Sequence, residues 1–277
     1  MQAFSYETPT SVAEAVKAAA NGDAKIIAGG QSLLGAMKLG LAAPETLIDI
    51  GRIAELKTIR VESDQVVIGA LATHASVAAS GDVSQAIPAL AKLAGDIGDR
   101  QVRHRGTIGG SLANNDPAAC YPAAVLGLGA TIRTDRRSIA ADDFFTGLYE
   151  TALEADELIV SVSFPIPQKA GWEKFKQPAS RFSLVGVFVS QGADGVRVAV
   201  TGAGAGVIRV KALEDKLAAQ WSAAACEGVV VDPQGLNNDL HGSAEYRAAL
   251  IPVLAARAVA SSWCRPPAPR CRRASTR

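Results

Sequence analysis

Two Gly-Gly pairs, Gly29-Gly30 and Gly109-Gly110, constrain this chain more than any other feature of its sequence. Each follows a short apolar segment and precedes a hydroxyl residue and a leucine: Ala28-Gly29-Gly30-Gln31-Ser32-Leu33 and Thr107-Ile108-Gly109-Gly110-Ser111-Leu112. With no Cβ in the way, a glycine backbone can come close to a ligand or to another segment of chain. Consecutive N–H groups in such a turn form a concave nest for an anion. Ser32, Thr107 and Ser111 add hydroxyl donors beside the glycines. Two such loops brought together could hold the two phosphates of a dinucleotide. Either pair alone also reads as a plain tight turn. Neither fits Gly-x-Gly-x-x-Gly or a loop ending in Gly-Lys-Ser/Thr, so a site built from them is neither a Rossmann site nor an NTPase site. The likeness between the two segments is too short to be a repeat.

Around these pairs the chain alternates short strands and short helices. Thr10 or Ser11 is placed to cap a helix through Ala20, with Glu14 as the capping-box acid to Ser11. Residues 25–28 read as a strand, 32–39 as a helix and 46–50 as a second strand. Residues 59–62 and 66–68 flank Ser63-Asp64-Gln65 as a hairpin. Thr73 or Ser76 caps a short helix, with His74 at its solvent-facing start, and residues 87–97 carry apolar side chains at helical spacing. Asp116-Pro117 reads as an N-cap and first helical residue of a helix through Leu126. Strands follow at 130–134 and 158–164. Pro165 to Gly171, with two prolines and a glycine, disfavours any regular element and is the expected domain boundary. Beyond it, 184–190 and 196–201 alternate as paired strands around Gly192-Ala193-Asp194-Gly195, and helices are expected at 210–219 and 244–259. The pattern implies an α/β N-terminal domain, residues 1–168, and a smaller α+β C-terminal domain, residues 172–260.

Composition closes off several functions. With 28 basic and 27 acidic residues the net charge is +1, which gives no support to a nucleic-acid partner. The longest uncharged stretch near the middle, Cys120 to Ile132, is shorter than the roughly 20 apolar residues of a spanning helix and holds a proline and two glycines. The N-terminus has no signal-peptide pattern, so the cytoplasm is the expected location. Cys120, Cys226, Cys264 and Cys271 form no Cys-x-x-Cys, and His74, His104 and His241 lie far apart. Free thiols, rather than zinc or iron–sulfur ligands, are the reading. His104, between Arg103 and Arg105, reads as part of a solvated basic rim, with phosphate or acceptor contact the alternative. No Ser–His–Asp or paired-carboxylate set stands out.

The two glycine loops resemble the paired FAD loops of the molybdenum hydroxylase flavoproteins, the family of the carbon monoxide dehydrogenase medium subunit and the xanthine dehydrogenase FAD domain. The resemblance extends from about residue 3 to about residue 260. It includes Met37-Lys38-Leu39, Leu47-Ile48-Asp49-Ile50, Asn114-Asn115-Asp116-Pro117-Ala118 and residues 196–204, in order. It implies an α+β architecture: a vanillyl-alcohol-oxidase-like, PCMH-type FAD-binding domain followed by a smaller C-terminal domain. Ala28 to Ser32 and Thr107 to Ser111 would wrap the pyrophosphate, with Leu33 a further cofactor contact. Asn115 and Asp116 match positions toward the ribityl chain and ring. Lys174-Phe175-Lys176 and Phe182 fall where the second domain meets the flavin, with Lys176 as a contact and Phe182 shielding the ring. Phe182 reads equally as an ordinary core aromatic. Gln31 stands where the family often has histidine, and Cys120 where many members have aspartate, which puts a carboxylate contact to the flavin in doubt.

The family reading implies no substrate-oxidising residue in this chain. Electrons would come from a molybdenum-cofactor large subunit through a [2Fe-2S] small subunit to this FAD, in a dimerised heterotrimer, and leave to an external acceptor. Two other readings are a stand-alone flavin oxidase or dehydrogenase, which would need its own base and substrate cavity, and a non-enzymatic nucleotide-binding protein. Residues 261–277 stand apart: five arginines and three prolines in seventeen residues cannot bury a core and read as disordered, as a shift of reading frame near Ala260 would leave them. A functional basic tail is the alternative.

Overall fold

The computed structural model describes residues 2–20 and 22–265. The chain opens with strand β1 (Ser5–Glu7), helix α1 (Val12–Ala19), β2 (Ala24–Ile27), α2 (Leu33–Lys38) and β3 (Thr46–Asp49). β1 and β2 both pair in parallel with β3. Ser11 caps α1 by accepting from the Glu14 amide at 3.2 Å, while the Glu14 carboxylate turns to the amide and hydroxyl of Thr10. The capping box is therefore closed one residue earlier than the sequence suggests.

A second, antiparallel sheet has the order β4-β5-β10-β6-β7. Its first hairpin, β4 (Ile59–Glu62) and β5 (Gln65–Gly69), turns on Ser63-Asp64, with Ser63 left-handed at φ 55°. Between β5 and the next strand lie α3 (His74–Ala79), α4 (Gly81–Ala86), α5 (Pro88–Gly95), α6 (Arg100–Arg105), α7 (Ile108–Asn114) and α8 (Tyr121–Leu128). Thr73, not Ser76, caps α3. The sheet is completed by β6 (Thr131–Thr134), β7 (Ser138–Ala140) and β10 (Ile159–Pro165). Before β10 come α9 (Ala141–Phe144) and a hairpin of β8 (Phe145–Gly147) and β9 (Glu150–Thr151).

The segment after Asn115 departs from expectation. The helix begins at Tyr121, not Pro117. Asp116 accepts from the Ala118 amide at 2.8 Å in a local turn, but the Ala119 carbonyl accepts from the Thr201 hydroxyl at 2.7 Å, and the Pro117 carbonyl, 3.0 Å from the same hydroxyl, accepts from the Gly202 amide. Those carbonyls are drawn sideways to a strand of the next sheet, so the helix cannot start there. Every residue of α8 is buried, as a helix apolar all round must be. It lies between the second sheet and the third, against Phe188 at Gly127, with Ser190 donating to the Gly127 carbonyl at 2.6 Å.

The third sheet, order β14-β13-β12-β11-β15, is antiparallel. It contains β11 (Lys169–Lys176), β12 (Ser183–Gly192), β13 (Gly195–Thr201), β14 (Ile208–Arg209) and β15 (Trp263–Cys264). Residues 166–168 alone separate β10 from β11, so the proline-rich stretch is a short joint between two strands rather than a long irregular linker. Helices α10 (Lys211–Ala219) and α11 (Ala244–Ala260) cover one face of the sheet. Trp263 pairs with Ala170 and Cys264 with Lys169, so 261–265 end in an edge strand where disorder is expected from composition. Residues 266–277 lie outside the described residues. Cys120, Cys226 and Cys264 are free thiols. Among the described residues no helix is long and apolar enough to cross a membrane.

Strand β11 and helix α11 meet at backbone distance. A Cβ at Gly171 would sit 1.9 Å from the Ala258 carbonyl oxygen. Gly171→Ala is expected to lower stability by about 3 kcal/mol, because main chain and not a movable side chain blocks the methyl. The midpoint of urea unfolding measures this, with Gly192→Ala, which meets open space, expected to change it little.

Candidate flavin cleft

The two glycine segments meet at the wall of a cleft of about 660 Å³, a size within the roughly 300–1,000 Å³ of small-molecule and cofactor sites. Their meeting is tight. A Cβ at Gly29 would lie 2.0 Å from the Arg105 carbonyl oxygen, and one at Gly110 would face the Ala28 Cβ at 3.9 Å. The segment from Arg105 to Gly109 is in turn bonded to the stretch that leads from β5 into α3. The His74 amide donates to the Gly106 carbonyl at 2.9 Å, Ile108 to Ala72 at 3.0 Å and Gly109 to Ala70 at 2.9 Å.

The two segments are not equivalent. In the first, Gly30 is left-handed at φ 72°, and the amides of Gly29, Gly30, Gln31, Ser32 and Leu33 have no acceptor among the described residues. The Ser32 hydroxyl makes no cap bond either. This is a run of free donors in residues that line a cleft, the arrangement an anionic group needs. The second segment is not a turn but the first turn of α7. Thr107 caps it through its hydroxyl, which accepts from the Gly110 amide at 3.1 Å, and the amides of Ile108 and Gly109 are already spent. Its glycines serve close packing: a Cβ at Gly109 would lie 2.6 Å from the Ala70 Cβ. The nest expected at both pairs is thus present at one, while the other offers the Ser111 hydroxyl and a flat backbone wall.

Of the residues singled out by sequence, Ala28, Gly29, Gly30, Gln31, Ser32, Leu33, Thr107, Gly109, Gly110, Ser111, Asp116 and Phe182 line the cleft. Ile108, Asn115 and Lys176 do not. Ile108 is fully buried in the core. Asn115 is the left-handed cap of α7 at φ 41°, and its amide donates to the carbonyls of Gly147 and Glu150 at 3.0 and 2.7 Å, tying the β8–β9 hairpin to the helix; its neighbour Asn114 is the one that lines the cleft. Lys176 pairs outside with Asp96, and Lys174, two residues earlier, reaches the cleft. Phe182 is half exposed and lines the cleft, so it is not a core aromatic. Cys120, Val102 and residues 153–155 and 157–159 complete much of the wall, and nothing local in the sequence marks that last segment.

His74 is the largest departure. It is 5 % exposed and lines the cleft rather than facing solvent. Its ring packs where a Gly106 side chain would be, with a Cβ there only 2.5 Å from Nε2, and stands 5.3 Å from the Tyr121 ring. Nδ1 is buried without a partner. Burial, and then the Arg103 charge, push the imidazole down to about 4, so it is neutral at neutral pH.

Residues 2–167 match the family described as the FAD binding domain in molybdopterin dehydrogenase. The chain is 36 % identical over 283 residues to the carbon monoxide dehydrogenase medium chain of Hydrogenophaga pseudoflava, covering 95 % of this chain and 98 % of that one. It is 36 % identical to the nicotine 6-hydroxylase medium subunit of Paenarthrobacter nicotinovorans, covering 96 % and 99 %. The solved structure of Hydrogenophaga pseudoflava carbon monoxide dehydrogenase lacking the Mo-pyranopterin moiety superposes with a TM-score of 0.84 over 95 % of this chain and 99 % of the other. The chain belongs to the FAD-binding medium subunits of the molybdenum hydroxylases, an oxidoreductase family of multi-subunit complexes, and its cofactor is FAD. The cleft suits that cofactor: free amides for a diphosphate, an apolar length, and the half-exposed ring of Phe182 as a stacking face.

A buried neutral histidine makes stability depend on pH. His74 binds its proton near pH 6.5 when unfolded and near 4 when folded, so its contribution is whole above about 6.5 and is lost as pH falls toward 4. The loss amounts to roughly 3 kcal/mol. Urea unfolding at a series of pH values between 7 and 4 is expected to show His74→Leu with a shallower decline than the native chain; equal slopes would place the imidazole in water.

Proposed function

We propose that this chain is the electron outlet of a three-component dehydrogenase. A molybdenum-cofactor large subunit oxidises the substrate, and a [2Fe-2S] small subunit passes electrons to FAD in this cleft. An external acceptor then removes them. The observation that carries the reading is the run of free amides from Gly29 to Leu33 in a cleft of dinucleotide size, on a chain whose relatives are medium subunits. FAD supplies the redox chemistry when bound, and the chain binds, orients and sets charge around it. The Gly29–Leu33 amides with the Ser32 and Ser111 hydroxyls would hold the diphosphate. Phe182 would cover one face of the ring system. Residues 1–168 would carry both glycine segments, and 172–260 would close the cleft with Lys174 and the stretch Ser180–Phe182. The assembly would work in the cytoplasm as a dimer of heterotrimers. The choice of substrate would lie in the molybdenum subunit.

Co-expression of the chain with its genetic neighbours, affinity capture on this chain, and release and chromatography of the cofactor test the reading. About one FAD per chain, with molybdenum and iron–sulfur chains retained, is the expected result. Rapid mixing with the complex's substrate should then reduce the clusters and the flavin together. FAD-loaded chain that captures no partner and reduces its own flavin with a small substrate would instead make it a stand-alone flavin enzyme.

A further inference from the structure

Two lysines line the cleft, Lys25 and Lys174, and Lys174, on the same wall as Phe182, has no acid within salt-bridge distance among the described residues. Lys174 Nζ donates to the carbonyls of Asp96 at 2.7 Å and Arg181 at 3.1 Å, and lies 3.3 Å from Cys120 Sγ. These three partners use all three ammonium hydrogens, and none is a carboxylate. Among the described residues Lys174 makes no salt bridge, although Lys92, Lys176 and Lys211 each do. The acids that line the same cleft are occupied elsewhere: Glu157 by Arg137, Glu154 by Arg136, and Asp116 with the Ala118 amide. Lys174 is partly buried, where a charge is screened less than in open water. It shares the wall with Cys120, Arg181 and Phe182, the residue that offers a stacking face to a planar ring.

We propose that Lys174 sets the charge at the ring end of the cleft and that Cys120 keeps that charge free. The inference rests on FAD occupying the cleft. Two electrons from the partner clusters and one proton from solvent convert the neutral flavin ring to an anion, and a fixed ammonium beside it favours the reduced form. An aspartate in place of Cys120, whose sulfur already lies 3.3 Å from Nζ, would form a salt bridge and cancel the effect. Cysteine leaves the ammonium anchored by dipoles but electrostatically unspent. Lys174 is thereby a positioning residue for charge, and Cys120 tunes this flavin toward a higher reduction potential.

Potentiometric titration of the flavin in the co-expressed complex, against reference dyes, reads this directly. Lys174→Gln is expected to reduce the preference for the reduced flavin at least tenfold, a fall of about 30 mV for a two-electron couple. Cys120→Asp should fall in the same direction with Lys174 still present. Lys174→Arg and Cys120→Ser should stay at the native potential, the second because it removes the thiol without adding an acid. Native potentials in FAD-loaded Lys174→Gln and Cys120→Asp would overturn the inference while leaving the cleft reading intact; should Lys174→Gln fail to hold FAD, Cys120→Asp decides alone. A native chain without FAD would overturn both.

Discussion

The close approach of Gly29 to the Arg105–Gly106 backbone is the contact on which the site depends. Two segments far apart in sequence are brought within a distance that no side chain could share. The approach is fixed from behind by three main-chain bonds that tie Gly106, Ile108 and Gly109 to His74, Ala72 and Ala70, the segment that leads from β5 into α3. Backbone bonds of this kind cannot slide without leaving buried amides unpaired. The first loop is consequently pressed against a rigid wall, and its own amides, in residues that line the cleft, have no acceptor among the described residues. Glycine matters here for the space it leaves at Gly29 and for the left-handed turn at Gly30.

From that joint the rest of the cleft is assembled by packing. The wholly apolar α8 sits between two sheets, so the second sheet and the third are fixed relative to one another through one shared core. That core includes Trp172 and Phe188 of the third sheet together with Val66 and Phe164 of the second. Strand β11, three residues beyond β10, can therefore deliver Lys174 to the wall with a defined position. Arg181 is left-handed at φ 61° and Phe182 is half exposed, so this part of the wall rests on a short connection rather than on a strand.

Much of this was legible in the sequence because it rests on local signals. The Gly29-Gly30 turn, the Ser63-Asp64 hairpin, the Thr73 cap and the β12–β13 hairpin follow from turn and capping chemistry that neighbouring residues supply. What was not legible depends on distant partners. His74 follows a helix cap, which usually faces water, but Gly106 leaves room for its ring in the interior. Asp116-Pro117 has the form of a helix start, yet Thr201 and Gly202 claim the carbonyls that helix would need. Lys174 and Lys176 share a face in a regular strand, and the register shift between Phe175 and Lys176 separates them. Asn114 and Asn115 differ by one helical position, which decides whether the side chain meets the cleft or the β8–β9 hairpin.

A diphosphate held by the free amides of Gly29–Leu33 would set FAD apart from any flavin without phosphate. Flavin-fluorescence titration of the cofactor-free chain with FAD and with riboflavin tests it most directly, because riboflavin keeps the ring and loses every phosphate. FAD is expected to bind at least tenfold more tightly, a difference of about 1.4 kcal/mol or more, and Gly29→Ala to remove the preference by forcing the loop off the Arg105 carbonyl. Equal affinity for the two flavins, or a preference untouched by Gly29→Ala, would contradict it and place the phosphate grip elsewhere.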